Sequence, residues 1–175
     1  MAKLDETRRQ VQALASEILS TSKRAIFAIH RGDIKKAASD LQNAEGKMDK
    51  ADGLVKKEPR LASEGMWRAA QEEFAETDLL LQYITHDKIT GTFTDPEIYL
   101  GALSDLAGEI VRLSTRAASE GKTAFVKKAH QDVMDIVELL LSMDLTGTLR
   151  TKTDQAKSHL RKIEEIEYDL SIRGR

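Results

Sequence analysis

Apolar residues recur at steps of three and four along almost the whole chain, a spacing that predicts six long helices. The first runs from about Lys3 to Arg31, with Leu4, Val11, Leu14, Ala15, Ile18, Ser22, Ala25, Ile26 and Ile29 at helical spacing. The "RGD" at residues 31–33 breaks it. Asp33 can cap a second helix, whose stripe is Ile34, Ala37, Leu41, Ala44, Met48 and Val55. A third follows Pro59 and reaches about His86 through Trp67, Ala70, Phe74, Leu81 and Ile84. After the turn-rich "DKITGTFTDPE", Asp95 and Pro96 open a fourth that stops at Gly121. The fifth spans about Thr123 to Met143, and "DLTGT" separates it from a sixth that carries on to Ser171.

The 175 residues suit a single domain over 1–175 with a real core. Aromatic residues make up 5% of the chain and β-branched alternation is scarce, which argues against a sheet. The expected class is all-α, an antiparallel bundle of about six to seven helices. The 27 basic and 29 acidic side chains nearly cancel, so net charge names no nucleic-acid partner. With no cysteine, disulfides, zinc–thiolate sites and thiol catalysis are excluded. The start "MAKLDETRRQ" lacks the apolar core of a signal peptide, and no apolar run approaches membrane-spanning length. The expectation is a soluble, cytoplasmic protein with no membrane partner.

Acids in unexpected places carry the chemistry. At about 100° per residue, Glu73 falls in the middle of the apolar arc of the third helix, with Glu76 at its edge. A carboxylate on a buried face costs several kcal/mol unless it is protonated, paired or bound to a cation. The fourth helix carries Asp105, Glu109, Arg112 and Arg116 on one stripe, with Glu109 at the border of its apolar arc. If these two helices pack antiparallel, four carboxylates converge across their seam. Hard oxygen donors without Cys or His suit Mg²⁺ or Mn²⁺, which activate water in phosphodiester cleavage. Arg112 and Arg116 are then placed to hold a phosphate.

The competing account is a solvated helix face laced with intrahelical ion pairs, and spacing alone leaves both open. A di-iron bundle fits less well still, because none of His30, His86, His130 and His159 has a Glu three residues before it. Lys23 and Arg24 on the first helix are candidates to track a nucleic-acid backbone, although solvated basic side chains explain them as well. Trp67, Phe74 and Tyr83 read as core.

Several of these segments resemble the translin family, and particularly its catalytic branch, the translin-associated factor X (TRAX) proteins. The tail "KIEEIEYDLSIRGR" resembles the family's "YDLSIRG" ending. "SKRAIFAIHR" resembles part of the first TRAX helix, and "YLGALSDLAGEIVRLS" the stretch that carries an Asp and a Glu four residues apart. "QEEFAETDLLLQYI" fits the helix that carries Glu-x-x-Glu. The likeness is spread from about Lys23 to Gly174 and is thinnest in the second helix.

This resemblance implies that the TRAX catalytic acids fall on Glu73, Glu76, Asp105 and Glu109. It implies an all-helical protein assembled into a closed, hollow homo-oligomer, commonly an octamer, with RNA held inside. The implied activity is Mg²⁺-dependent endoribonuclease cleavage of single-stranded RNA or small duplexes. Lacking the basic N-terminal extension and the insertion of eukaryotic members, the chain is similar to a compact archaeal-type version. Translin itself keeps the tail but lacks the acid set. A non-catalytic protein that binds single-stranded RNA or DNA is therefore the alternative.

Overall fold

A computed structural model of the chain describes residues 2–91, 93 and 95–173. The described residues form six α-helices and one 3-10 turn, with no strand among them. Gly174, where the resemblance of the tail ends, lies outside them. The backbone divides into two compact units, Met1–Tyr99 and Leu100–Arg175.

The first unit contains α1 (Ala2–Arg31), α2 (Ile34–Lys57), the 3-10 turn Pro59–Ser63, α3 (Gly65–His86) and the first turn of α4 (Pro96–Ser119). The predicted stripe of α1 is the buried one: Val11, Ala15, Ile18 and Ser22 are fully enclosed. Gly32 turns the chain at φ +80, a conformation that spares only glycine a steric cost. Asp33 then caps α2 as expected, its carboxylate accepting from the Lys36 N–H at 3.1 Å. Glu17 meets Lys47 at 3.0 Å, while Arg24 lies 3.8 Å from Asp40, so α1 and α2 are antiparallel. Arg8 meets Glu64 at 2.8 Å, and the Thr77 hydroxyl lies 3.4 Å from the Ser22 carbonyl. Those partners rise together, so α3 runs parallel to α1. Val11, Ala15 and Ile18 join Ala44, Ala51, Val55, Leu61, Trp67 and Ala70 in one core. Burying the Trp67 side chain contributes roughly 2–3 kcal/mol.

One expected boundary moves. The helix predicted to follow Pro59 begins at Gly65, because residues 59–63 close as a 3-10 turn and Glu64 is extended at φ −63, ψ 125. Arg8 meets the Glu64 carboxylate across the unit, so a tertiary ion pair lies at this break. Before α4, Asp95 caps the helix by accepting from the Glu97 N–H at 2.9 Å. Arg68 pairs with both Asp95 and Glu97 at 2.8 Å. Desolvation pushes the Asp95 carboxyl up, but the Arg68 hydrogen bond and the two N–H donors of the cap outweigh it, leaving it below the ordinary carboxylate range.

The second unit comprises the rest of α4, α5 (Thr123–Leu141) and α6 (Gly147–Arg173). Leu103, Leu106 and Ile110 of α4 are buried, and Gly121 at φ +72 stops the helix as its sequence predicts. Asp105 pairs with Lys152, Gly108 lies against the His159 ring, and Thr115 and Ala118 share a small cleft with Ile166 and Leu170. Those partners climb together, so α6 runs parallel to α4. In α5, His130 meets Glu167 at 2.5 Å while Leu140 shares a cleft with Arg150, so α5 runs opposite to α6. Each unit therefore places its first and third helices parallel. No helix among the described residues is long and apolar enough to cross a membrane.

Candidate carboxylate and phosphate-binding residues

Glu73 and Glu76 lie one turn apart on α3, in the first unit. Their depths are the reverse of the sequence expectation: Glu76 is 8% exposed and Glu73 only half-buried. The reading at 100° per residue assumed one apolar arc, whereas α3 also buries Ala75 and Leu79 besides the expected Leu80 and Tyr83. A helix enclosed around most of its circumference has no single inward face, and Glu76 falls within the wider buried zone. Thr77 is fully buried beside it and donates to the Glu73 carbonyl at 2.7 Å. On the same helix, burial raises the Asp78 carboxyl above its usual value, the Gln82 hydrogen bond lowers it, and Glu45 adds a smaller upward push.

Asp105, Glu109, Arg112 and Arg116 occupy one stripe of α4 in the second unit, as the spacing predicts. Asp105 and Glu109 are half-buried, and Arg112 and Arg116 are exposed. Lys152, from α6, donates a short hydrogen bond to the Asp105 carboxylate. Arg112 lies 3.7 Å from Glu109, and Arg116 turns onward to Glu120 at 2.9 Å. Lys122 and Arg116 together hold the Glu120 carboxyl below its usual range. The stripe is thus a chain of acid–base pairs with its acids inward and its arginines toward water.

Lys23 and Arg24 are exposed on α1. Arg24 shares the buried Asp40 of α2 with Lys36, which meets it at 2.8 Å. Asp40 was not anticipated, although its place one turn after Ala37 in the buried stripe was a usable signal. Lys152 left no such trace: it is 47 positions from Asp105, and no periodicity connects residues on separate helices. The His130–Glu167 pair was invisible for the same reason. Within either unit, no three His, Asp or Glu side chains among the described residues are gathered into a ready metal set.

Comparison with known proteins follows the same lines. The translin family model matches residues 6–174. Translin from Gallus gallus is 32% identical over 92 residues, which are 52% of this chain and 40% of that protein. Human translin matches to the same extent, so the chain spans about two fifths of the curated translins it resembles. An uncharacterized protein of Methanocaldococcus jannaschii is 27% identical over 173 residues, covering 93% of this chain and 75% of its own. Among solved structures, apo-NeC3PO has a TM-score of 0.89 at 26% identity, covering 97% of this chain and 92% of that one. AfC3PO in complex with duplex RNA has a TM-score of 0.86 at 19% identity, covering 98% and 93%, a likeness of fold.

Proposed function

Because the chain belongs to the translin family, we propose that it is a metal-dependent endoribonuclease of the TRAX-like, archaeal type that works as a hollow homo-oligomer, with an octamer as the expected size. Glu73, Glu76, Asp105 and Glu109 are its metal-holding and catalytic acids. The observation that carries this reading is the pairing of these four carboxylates about one turn apart, two on α3 and two on α4. Glu76 is buried and the other three are half-buried. The donors are all carboxylate oxygens, a set that fits Mg²⁺ or Mn²⁺. The ammonium of Lys152 against Asp105 marks a position where positive charge is favoured.

Bound there, Mg²⁺ supplies Lewis-acid polarisation of a phosphate oxygen. The chain itself contributes orientation and charge. A carboxylate oxygen of the set aligns the attacking water and accepts its proton. Arg112 and Arg116 on α4, and Lys23 and Arg24 on α1, balance the phosphates of the strand. Such backbone contacts carry no base information, so cleavage is largely indifferent to sequence. Enclosure within the oligomer then selects which RNAs reach the acids. The duplex RNA bound by the structural relative AfC3PO makes small duplexes, beside single strands, the first substrates to try.

A second reading, a non-catalytic RNA- or DNA-binding protein like translin, is favoured by one observation: Lys152 already balances Asp105. Cleavage of a labelled single-stranded RNA separates the two. Wild type is compared in Mg²⁺ and in EDTA, and with a Glu73→Ala/Glu76→Ala variant of unchanged oligomer size. The expected outcome is cleavage abolished by EDTA and reduced on the order of a thousandfold in the variant. Binding without cleavage under any metal would leave the translin-like reading standing.

A further inference from the structure

Lys152 was no part of the sequence pattern, yet it contacts Asp105, one of the proposed metal-holding acids. Its side chain is 16% exposed and that of Asp105 31%, so the pair is largely withdrawn from water. Lys152 shares a face of α6 with Ala156, His159 and Ile163; Ala156 and Ile163 are fully buried, and His159 lies against Gly108 of α4. That packing fixes the root of the lysine, while its four-carbon stem has the rotatable bonds to carry the ammonium to a new partner. Asp105 and Glu109, one turn apart, would repel each other if left uncompensated. In this chain Lys152 meets the first and Arg112 approaches the second.

A divalent cation shared by Asp105 and Glu109 needs the same carboxylate oxygens and the same charge balance. It cannot coexist with a full ammonium–carboxylate contact at Asp105 without strong repulsion. We infer that Lys152 is the built-in counter-ion of the Asp105–Glu109 pair, standing in for the metal until Mg²⁺ displaces it toward a phosphate of the bound strand. This rests on the nuclease reading and adds a positioning residue to it. Lys152 then weakens metal binding in the RNA-free protein and strengthens RNA binding in the loaded one. By linkage, RNA and Mg²⁺ each favour the other's binding.

The test is calorimetric titration of the RNA-free protein with Mg²⁺ alone. Wild type is compared with Lys152→Met, which keeps the apolar stem, and Lys152→Arg, which keeps the charge. The Met variant is expected to bind Mg²⁺ on the order of tenfold tighter, the equivalent of one charged hydrogen bond no longer competing. The Arg variant should stay near wild type. Lys152→Gln, which keeps a neutral donor for Asp105, carries the same expectation as Met should that variant not fold. A purely structural ion pair would lower melting temperature without moving metal affinity. Wild type and Met variant binding Mg²⁺ equally, or the variant more weakly, overturns the inference alone. No Mg²⁺ binding by any of these proteins overturns it together with the nuclease reading.

Discussion

The acid pairs of α3 and α4 have the same chemistry in different settings. Glu76 is enclosed by a helix that buries residues on most of its sides, with Glu73 half-buried one turn before it. Asp105 and Glu109 lie along the border of an apolar arc, and each has a cation at hand, Lys152 and Arg112 respectively. The first pair is marked by the burial of Glu76, the second by a cation near each carboxylate. Depth raises the cost of holding charge, whereas compensation makes charge the resting state.

The larger test of this contrast removes the compensation. Asp105→Asn removes the charged partner that the withdrawn Lys152 ammonium meets on α4. It is expected to lower stability by about 1–2 kcal/mol in EDTA, read by thermal melting. A loss of only a few tenths would class the pair with solvent-screened surface bridges and dissolve the distinction. The smaller test concerns depth. Burial raises the Asp78 carboxyl on α3, so the folded chain holds that proton more tightly than the unfolded chain does. Its charge therefore opposes folding at neutral pH, and this cost is absent below the ordinary aspartate value of about 3.9. Asp78→Asn, which keeps an acceptor for Gln82, should stabilise the protein by about half a kcal/mol at pH 7, an amount discounted for partial solvent screening. Melting at pH 3 should show no gain.

What the sequence made legible was local. Asp33 and Asp95 announce helix starts because a short acceptor side chain satisfies N–H groups only a few residues on. Gly121 announces a stop because the left-handed turn there suits few other residues. The two acid pairs and the arginine stripe were visible because helical period maps spacing onto faces. What escaped depends on neighbours distant in sequence. Nothing around Pro59 states that residues 59–63 will close as a 3-10 turn, with Glu64 paired to Arg8 and α3 starting at Gly65. The order of depth between Glu73 and Glu76 depends on how many sides of α3 are covered, which a wheel of one helix does not contain. Lys152 is a lysine among many until α6 is laid along α4.

The two-residue joint at Gly32–Asp33 also bears on how the chain reaches this state. Closing so short a loop costs little entropy, and α1 and α2 meet through contacts near in sequence. The α5–α6 pair, joined by residues 142–146, has the same advantage. Contacts of that kind form early, so each unit is expected to begin from its own hairpin. The remaining helices, α3 and α4, join later, and they are the two that carry all four acids. Pulsed hydrogen exchange during refolding would then show protection in α1, α2, α5 and α6 ahead of α3 and α4. In that order of events the charged faces meet their surroundings only after a scaffold exists to receive them.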